Sequence, residues 1–198
     1  MVWAMSRKKK NTRPLTAGEV ALAKSVFGDA INYDAVRIKK KRVLMQPRDG
    51  AICLGNTINM DGNAYSDDYA CEDLNVRAFF IHEMTHIWQY QRNPLGLGIK
   101  FMREAIRHRQ HYLDRAYHYD LDPIKPFSKY GLEQQATMMQ DFYILSRIRK
   151  DAKYDGRCTS IHLCMDERRK RMMQTLAPVF WNPKTRKRAK PTKRGPKA

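Results

Sequence analysis

The sequence has no apolar run approaching the roughly 20 residues that a membrane span requires, which excludes a membrane-crossing segment. It also lacks the order of charged region, apolar region and cleavage site that defines a signal peptide. If the protein leaves its cell, we expect it to use a route that needs no such signal. No internal repeat is visible, and 198 residues fit one domain with a sizeable core.

Cysteine is scarce. The four cysteines are Cys53, Cys71, Cys158 and Cys164, and no two of them form a Cys-x-x-Cys pair. This absence argues against a zinc ribbon or a thioredoxin-like site. Free thiols are the default expectation, although Cys158 and Cys164 are close enough in sequence for a small disulfide loop in an oxidising compartment.

Acidic residues are absent from both ends of the chain. Residues 1–13 carry five basic groups and residues 182–198 carry eight, so together they hold 13 of the 18 net positive charges. Such segments cannot bury apolar area. We therefore predict a disordered basic lead over residues 1–13, a single domain over residues 14–181 and a disordered basic tail over residues 182–198. These tails either solvate the ends or contact nucleic acid or another anionic surface.

The most informative segment that is present reads His82-Glu83-Met84-Thr85-His86, within an apolar stretch of helical periodicity. Positions i and i+4 share one face of a helix, so His82 and His86 can offer two imidazoles to one zinc ion. Glu83 lies one step round the helix, where it can act as a general base on a zinc-bound water. Burying these three groups without partners is costly, so a buried helix favours a metal over a chance motif.

A catalytic zinc takes a third protein ligand and leaves its fourth position to water. Of the acids that follow His86, Glu133 is the best placed, because it falls in the first turn of an apolar helix that must pack on the core. A favourable charge at a helix N-terminus is the structural alternative for this residue. Asp141, eight positions further on, could orient a histidine from behind.

Other polar side chains are further candidates. Tyr119 and Tyr130 could stabilise the oxyanion that forms during peptide hydrolysis. His108 and His111 are spaced i, i+3 on a predicted polar helix over residues 99–116, but they lie among arginines in a pattern typical of a solvated face.

The remaining pattern predicts an α+β fold that is mainly helical, with a small antiparallel sheet. Thr16-Ala17-Gly18-Glu19 has the form of a capping box. Gly55-Asn56 between two apolar runs predicts a hairpin, and a strand placed over the zinc helix could pair with an extended peptide. Helices are expected after Thr16 as far as Gly28, from Asp73 or Asn75 to Asn93, over residues 130–149 and over residues 159–177.

At His82-Glu83-Met84-Thr85-His86-Ile87-Trp88-Gln89 and Glu133-Gln134-Gln135-Ala136, the chain resembles a bacterial family of Vgr-related zinc metallopeptidases. These are similar to the C-terminal toxin domain of a type VI secretion spike protein. The resemblance extends to Leu15-Thr16-x-Gly18-Glu19 and to Val26-Phe27-Gly28-Asp29-Ala30-Ile31, and so covers about residues 14–150.

This resemblance implies a zincin-like fold, with His82, His86 and Glu133 as zinc ligands and Glu83 as the catalytic base. It implies hydrolysis of a protein or peptide substrate by zinc-activated water. It further implies an antibacterial effector delivered into a target bacterium, with the periplasm as the expected compartment. The implied partners are an immunity protein and a type VI secretion spike or chaperone.

Two other functions stay open from the sequence. A zinc protease that acts on DNA-associated proteins would use the same motif, with residues 182–198 holding nucleic acid. A non-enzymatic, basic nucleic-acid-binding protein would make the motif accidental, although no recognisable DNA- or RNA-binding motif supports it.

Overall fold

A central helix packed between a small sheet and further helices organises the α+β fold. The computed structural model describes residues 11–43, 46, 48–95, 116–149, 154, 156–160 and 163–180. Within these residues the helices are α1 (Ala17–Phe27), α2 (Leu74–Arg92), α3 (Leu132–Leu145) and α4 (Met165–Phe180). The strands are β1 (Thr12–Pro14), β2 (Arg37–Lys40), β3 (Ala51–Leu54) and β4 (Thr57–Met60).

The four strands form one mixed sheet in the order β1-β2-β4-β3. The predicted hairpin is confirmed, because β3 and β4 pair antiparallel across Gly55, whose φ of 62° suits glycine. The prediction of a purely antiparallel sheet is wrong, because β2 pairs with β4 in parallel, from Arg37 opposite Thr57 to Lys40 opposite Met60. The hairpin docks through β4, its second strand, and this leaves β3 at the edge of the sheet.

The sheet begins before the predicted start of the domain. Thr12 and Arg13, assigned to the basic lead, belong to β1 and pair with β2. Arg13 also donates two hydrogen bonds of 2.8 Å to the fully buried carboxylate of Glu19. Glu19 completes the predicted capping box with Thr16 at the start of α1, so the predicted basic lead overlaps the ordered fold.

Helix α2 carries the His-Glu-x-x-His motif and lies deep in the core. Asp73, one of the two predicted candidates, is its N-cap and accepts hydrogen bonds from the amides of Asn75 and Val76. Phe80, Ile81, Met84 and Ile87 are fully buried on it. Because apolar side chains surround the helix on several sides, the polar residues of the motif are held in fixed positions.

The other helices close the core around α2. Phe180 of α4 packs against Phe27, Trp88 and Phe127, with ring centroids 4.8 to 5.7 Å apart. The helices predicted over residues 130–149 and 159–177 correspond to α3 and α4. The predicted polar helix over residues 99–116, with His108 and His111, lies almost wholly outside the described residues, as do residues 1–10 and 181–198.

Two further expectations concern cysteines and membranes. All four cysteines are free thiols, and Cys158 and Cys164 are not bridged. In the described part of the chain, none of the helices combines the length and the apolar character that crossing a membrane demands.

Candidate metal centre

Three side chains from two helices bring one ligand atom each to a common point. His82 and His86 project from α2, and Glu133 projects from the first turn of α3. The Nε2 atom of His82 lies 3.2 Å from Oε2 of Glu133 and 3.3 Å from Nε2 of His86. Nε2 of His86 lies 3.4 Å from the same glutamate oxygen. Among the described residues these three form a group that can hold a metal ion.

The size of this triangle matches tetrahedral coordination. Ligand atoms about 2.0–2.2 Å from an ion such as zinc are separated by about 3.3–3.6 Å along the edges of a tetrahedron. The three observed edges, from 3.2 to 3.4 Å, lie at or just below the short end of that range. An ion can therefore lie at bonding distance from all three atoms with little movement of the side chains, and the described residues supply no fourth ligand to this group.

The electrostatics of the group also suit a cation. Burial alone would lower the pKa of His86, but the carboxylate of Glu133, supported by Glu83, outweighs it and raises this pKa to about 9. Burial would raise the pKa of Glu133, but His86 and His82 outweigh it and hold this pKa well below its usual range. Without metal, the pocket thus compensates a buried carboxylate with a proton on imidazole. A divalent cation can take the place of that proton.

Glu83 is buried beside the two histidines, and a residue of the edge strand contacts it. Cys53 of β3 places its sulfur 3.3 Å from Oε2 of Glu83 and 3.4 Å from the Glu83 carbonyl oxygen. Burial raises the pKa of the Cys53 thiol well above its usual value, and Glu83 and Glu133 act in the same direction. The protonated thiol therefore donates to Glu83. The hairpin signal gave no indication of this contact, which depends on how β3 packs over α2.

Behind the ligand atoms the two histidines have different surroundings. Nδ1 of His86 lies 2.9 Å from Oε1 of Gln89. Nδ1 of His82 is buried and has no hydrogen-bond partner within the described residues. The ring of Tyr117 stacks on the His82 ring at a centroid distance of 6.0 Å. Neither Gln89 nor Tyr117 was predicted. The i, i+3 spacing of His86 and Gln89 on one helix is the signal that could have indicated the first contact, whereas the approach of Tyr117 to His82 has no local signal.

Asp141 does not orient a histidine, contrary to the prediction. It accepts hydrogen bonds from the hydroxyls of Tyr119 (2.8 Å) and Tyr154 (2.7 Å) and from the Arg157 amide (3.2 Å). Burial raises the pKa of the Asp141 carboxyl, and these donors only partly offset that rise. Both carboxylate oxygens of Asp141 thus accept hydrogen bonds from these three donors, and none of the three is a histidine.

The two tyrosines predicted as oxyanion donors point to other partners. The Tyr119 hydroxyl donates to Asp141, and the Tyr130 hydroxyl donates to the carbonyl of Asp120 at 2.9 Å. Both side chains are buried. The oxyanion role predicted for them gains no support from these contacts.

Comparison with known proteins gives a relative for this arrangement. No protein-family model matches the chain. The type VI secretion system spike protein VgrG2b of Pseudomonas aeruginosa is 36% identical over 140 residues, which span 67% of this chain and 13% of the spike protein. The solved effector domain of Pseudomonas aeruginosa VgrG2b matches with a TM-score of 0.63 and 28% identity. The chain is a homologue of the VgrG2b effector domain.

The extent of the match differs between the two comparisons. The structural match covers 82% of this chain and 83% of the VgrG2b effector domain. The sequence match covers a small part of the full-length VgrG2b spike protein. The similarity to VgrG2b is therefore a similarity to its effector domain, and it confirms the homology expected from the residues around His82 and Glu133.

Proposed function

We propose that the protein is a zinc-dependent metallopeptidase that acts as an antibacterial type VI secretion effector. The observation that carries the enzymatic part is the triangle formed by His82, His86 and Glu133, with edges of 3.2 to 3.4 Å and Glu83 beside it. Two imidazoles and one carboxylate, with an open fourth position, are the ligand set of a catalytic zinc site. The proposal includes a zincin-like fold built around this ligand set, and homology to the VgrG2b effector domain supports the effector role.

His82, His86 and Glu133 would hold the ion. When bound, zinc supplies Lewis-acid chemistry, because it polarises a carbonyl and lowers the pKa of a water. The protein's own contribution is to keep the three ligand atoms in place on two packed helices, so that little reorganisation is needed on binding. The burial of His82 and Glu133, with His86 largely covered, also strengthens the attraction between Glu133 and a cation.

Glu83 is the proposed general base. It follows a ligand directly on α2, and its carboxylate is held by the Cys53 thiol. In this position it takes the proton of the attacking water and passes it to the departing amine. The thiol leaves most of the acceptor capacity of the carboxylate free, because an S–H group is a weak donor.

The edge strand β3 is the proposed docking site for the substrate backbone. It lies at the end of the sheet in the described residues, and Cys53 places it next to Glu83. An extended peptide that added to this edge would run past the His82–His86 pair, with its side chains alternating between the protein and solvent. This arrangement favours a protein or peptide substrate in an extended conformation.

The effector part of the proposal concerns delivery and partners. We propose loading on a type VI secretion spike or chaperone, transfer into the periplasm of a target bacterium, and neutralisation by an immunity protein in the producing cell. The support is that the homologous domain belongs to a type VI secretion system spike protein.

The test is the growth of a bacterial host that expresses the protein in either the cytoplasm or the periplasm. Wild type and Glu83→Gln are compared at equal protein levels, because glutamine keeps the size of the side chain and removes its basicity. We expect wild type to arrest growth from the periplasm and Glu83→Gln to permit growth. Toxicity that persists in Glu83→Gln would contradict the enzymatic proposal, and toxicity confined to the cytoplasm would contradict the proposed compartment.

A further inference from the structure

We infer that Gln135 and Gln89 form a directional hydrogen-bond chain that holds His86 with its Nε2 lone pair facing the metal site. Gln89 is thereby a positioning residue for metal binding. The inference rests on the proposed function in one respect, namely that His86 binds the metal through Nε2. It goes further in naming the residues that set the protonation and the orientation of this ring.

The chain begins at backbone carbonyls, which can only accept hydrogen bonds. Gln135 places its side-chain nitrogen 3.1 Å from the carbonyl oxygen of Phe127 and 2.9 Å from that of Tyr130. Both hydrogens of this amide are used by these carbonyls. The Oε1 atom of Gln135 therefore faces the other way, as an acceptor.

Gln89 continues the chain in the same direction. Its side-chain nitrogen lies 3.0 Å from Oε1 of Gln135 and 3.0 Å from the carbonyl oxygen of Leu132. Since both neighbours are acceptors, the amide hydrogens of Gln89 are fully used. Its Oε1 atom is left to accept a hydrogen bond from His86, 2.9 Å away.

The direction of the hydrogen bond between Gln89 and His86 determines which nitrogen of the His86 ring carries a hydrogen. Because Oε1 of Gln89 accepts, Nδ1 of His86 must carry a hydrogen. The neutral ring then has its lone pair on Nε2, the atom that faces Glu133 and His82. Gln89 and Gln135 are 5% and 4% exposed, so solvent competes little for these bonds.

Gln89 also ties the two helices of the site together. Its bond to Leu132 reaches the residue that directly precedes Glu133 at the start of α3. The Gln89 side chain thus orients the His86 ring and also anchors the helical turn that carries Glu133. His82 has no comparable support among the described residues, because its Nδ1 atom has no partner there.

The test compares zinc affinity with the stability of the metal-free protein in three variants. Gln89→Leu removes the acceptor and both donors. Gln89→Glu keeps the acceptor for His86 but turns an oxygen toward Leu132 and Gln135. Gln91→Leu is the matched control, because Gln91 lies on the same helix and bonds Asn32 and Asn56, away from the ligands.

We expect Gln89→Leu to weaken zinc affinity by about 10- to 100-fold, measured by competition with a chromophoric chelator. Gln89→Glu should bind zinc with an affinity within about threefold of wild type or higher, because a carboxylate partner strengthens a histidine ligand. Its metal-free form should nevertheless unfold at a lower temperature than wild type. Gln91→Leu should lower the unfolding temperature and leave zinc affinity within about threefold. A purely structural role for Gln89 would move affinity and stability together in both of its variants.

If wild type binds zinc, two results would overturn this inference and leave the proposed function intact. One is wild-type affinity in Gln89→Leu, and the other is an equal loss of affinity in Gln89→Leu and Gln89→Glu. If wild type binds no zinc, the proposed function fails and this inference fails with it. Should Gln89→Leu not fold, Gln89→Met retains the length of the side chain without its acceptor, and the same criteria apply.

Discussion

The Oε2 atom of Glu133 lies 3.2 Å from the Nε2 atom of His82, although 51 positions separate the two residues in the chain. The packing of α3 on α2 produces this approach, and it completes the ligand set that the motif alone leaves at two. The candidate metal centre is thus a property of the helix pair. Its integrity depends on residues such as Gln89 that join the two helices.

Replacement of Glu133 should abolish tight metal binding. Glu133→Gln keeps the shape of the side chain but removes the negative charge that attracts a cation, so we expect zinc affinity to fall by at least about 100-fold. Glu167→Gln is the matched control, since Glu167 lies on α4 and pairs with Arg171. Chelator competition measures both variants. Retention of wild-type affinity by Glu133→Gln would show that the third ligand lies elsewhere.

The sequence predicts the local features of this site better than its tertiary ones. The helical placement of His82 and His86, the Asp73 cap and the β3–β4 hairpin all follow from signals within a few residues. The parallel pairing of β2 with β4 does not, because it joins strands 20 residues apart without a local turn. The same limit applies to Cys53, whose contact with Glu83 arises from packing across 30 positions.

Asp141 shows why helical spacing alone can assign a wrong role. Its position on α3, eight residues after Glu133, is compatible with a place behind a histidine ligand. The residues that bind it, Tyr119, Tyr154 and Arg157, come from segments whose approach has no sequence signature. A buried carboxylate takes the donors that the fold supplies.

Zinc affinity should rise with pH. In the metal-free protein the pKa of His86 is raised to about 9, so at neutral pH zinc must displace a proton from this ring. We expect the apparent association constant to increase about tenfold per pH unit between about pH 7 and 8.5 and to level off above about pH 9. Competition with a chelator calibrated at each pH measures this slope. Constant affinity over that range would contradict a proton on His86.

The stability of the metal-free protein should change in the opposite direction. The pKa of His86 in the folded state lies above the ordinary value of 6.5. The pairing of protonated His86 with Glu133 therefore contributes fully to the stability of the folded protein below about pH 6.5. The contribution is lost as the pH rises toward about 9. We expect the free energy of unfolding in urea to fall by up to a few kcal/mol across this window. Glu133→Gln should flatten the dependence, and an equally steep loss in that variant would assign it to another group.

Gly156 should be intolerant of a side chain. Its φ is 51°, and a Cβ atom there would approach Oδ2 of Asp141 to 2.6 Å. Asp141 cannot yield easily, because two tyrosine hydroxyls hold it. We expect Gly156→Ala to lower the free energy of unfolding by about 1–3 kcal/mol. Gly62→Ala is the control, because a Cβ atom at Gly62 meets no heavy atom of the described residues within 4 Å. Equal stability of the two variants would contradict this description.

The most direct test of the central claim combines metal content with catalysis in wild type and Glu83→Gln. Each protein is loaded with zinc, dialysed and analysed for bound metal, then incubated with a bacterial periplasmic extract in which newly formed amino termini are counted by mass spectrometry. We predict one zinc per chain in both proteins, new termini with wild type, and at least about 100-fold fewer with Glu83→Gln. A wild type that retains no zinc, or undiminished cleavage by Glu83→Gln, would contradict the assignment of this protein as a zinc peptidase.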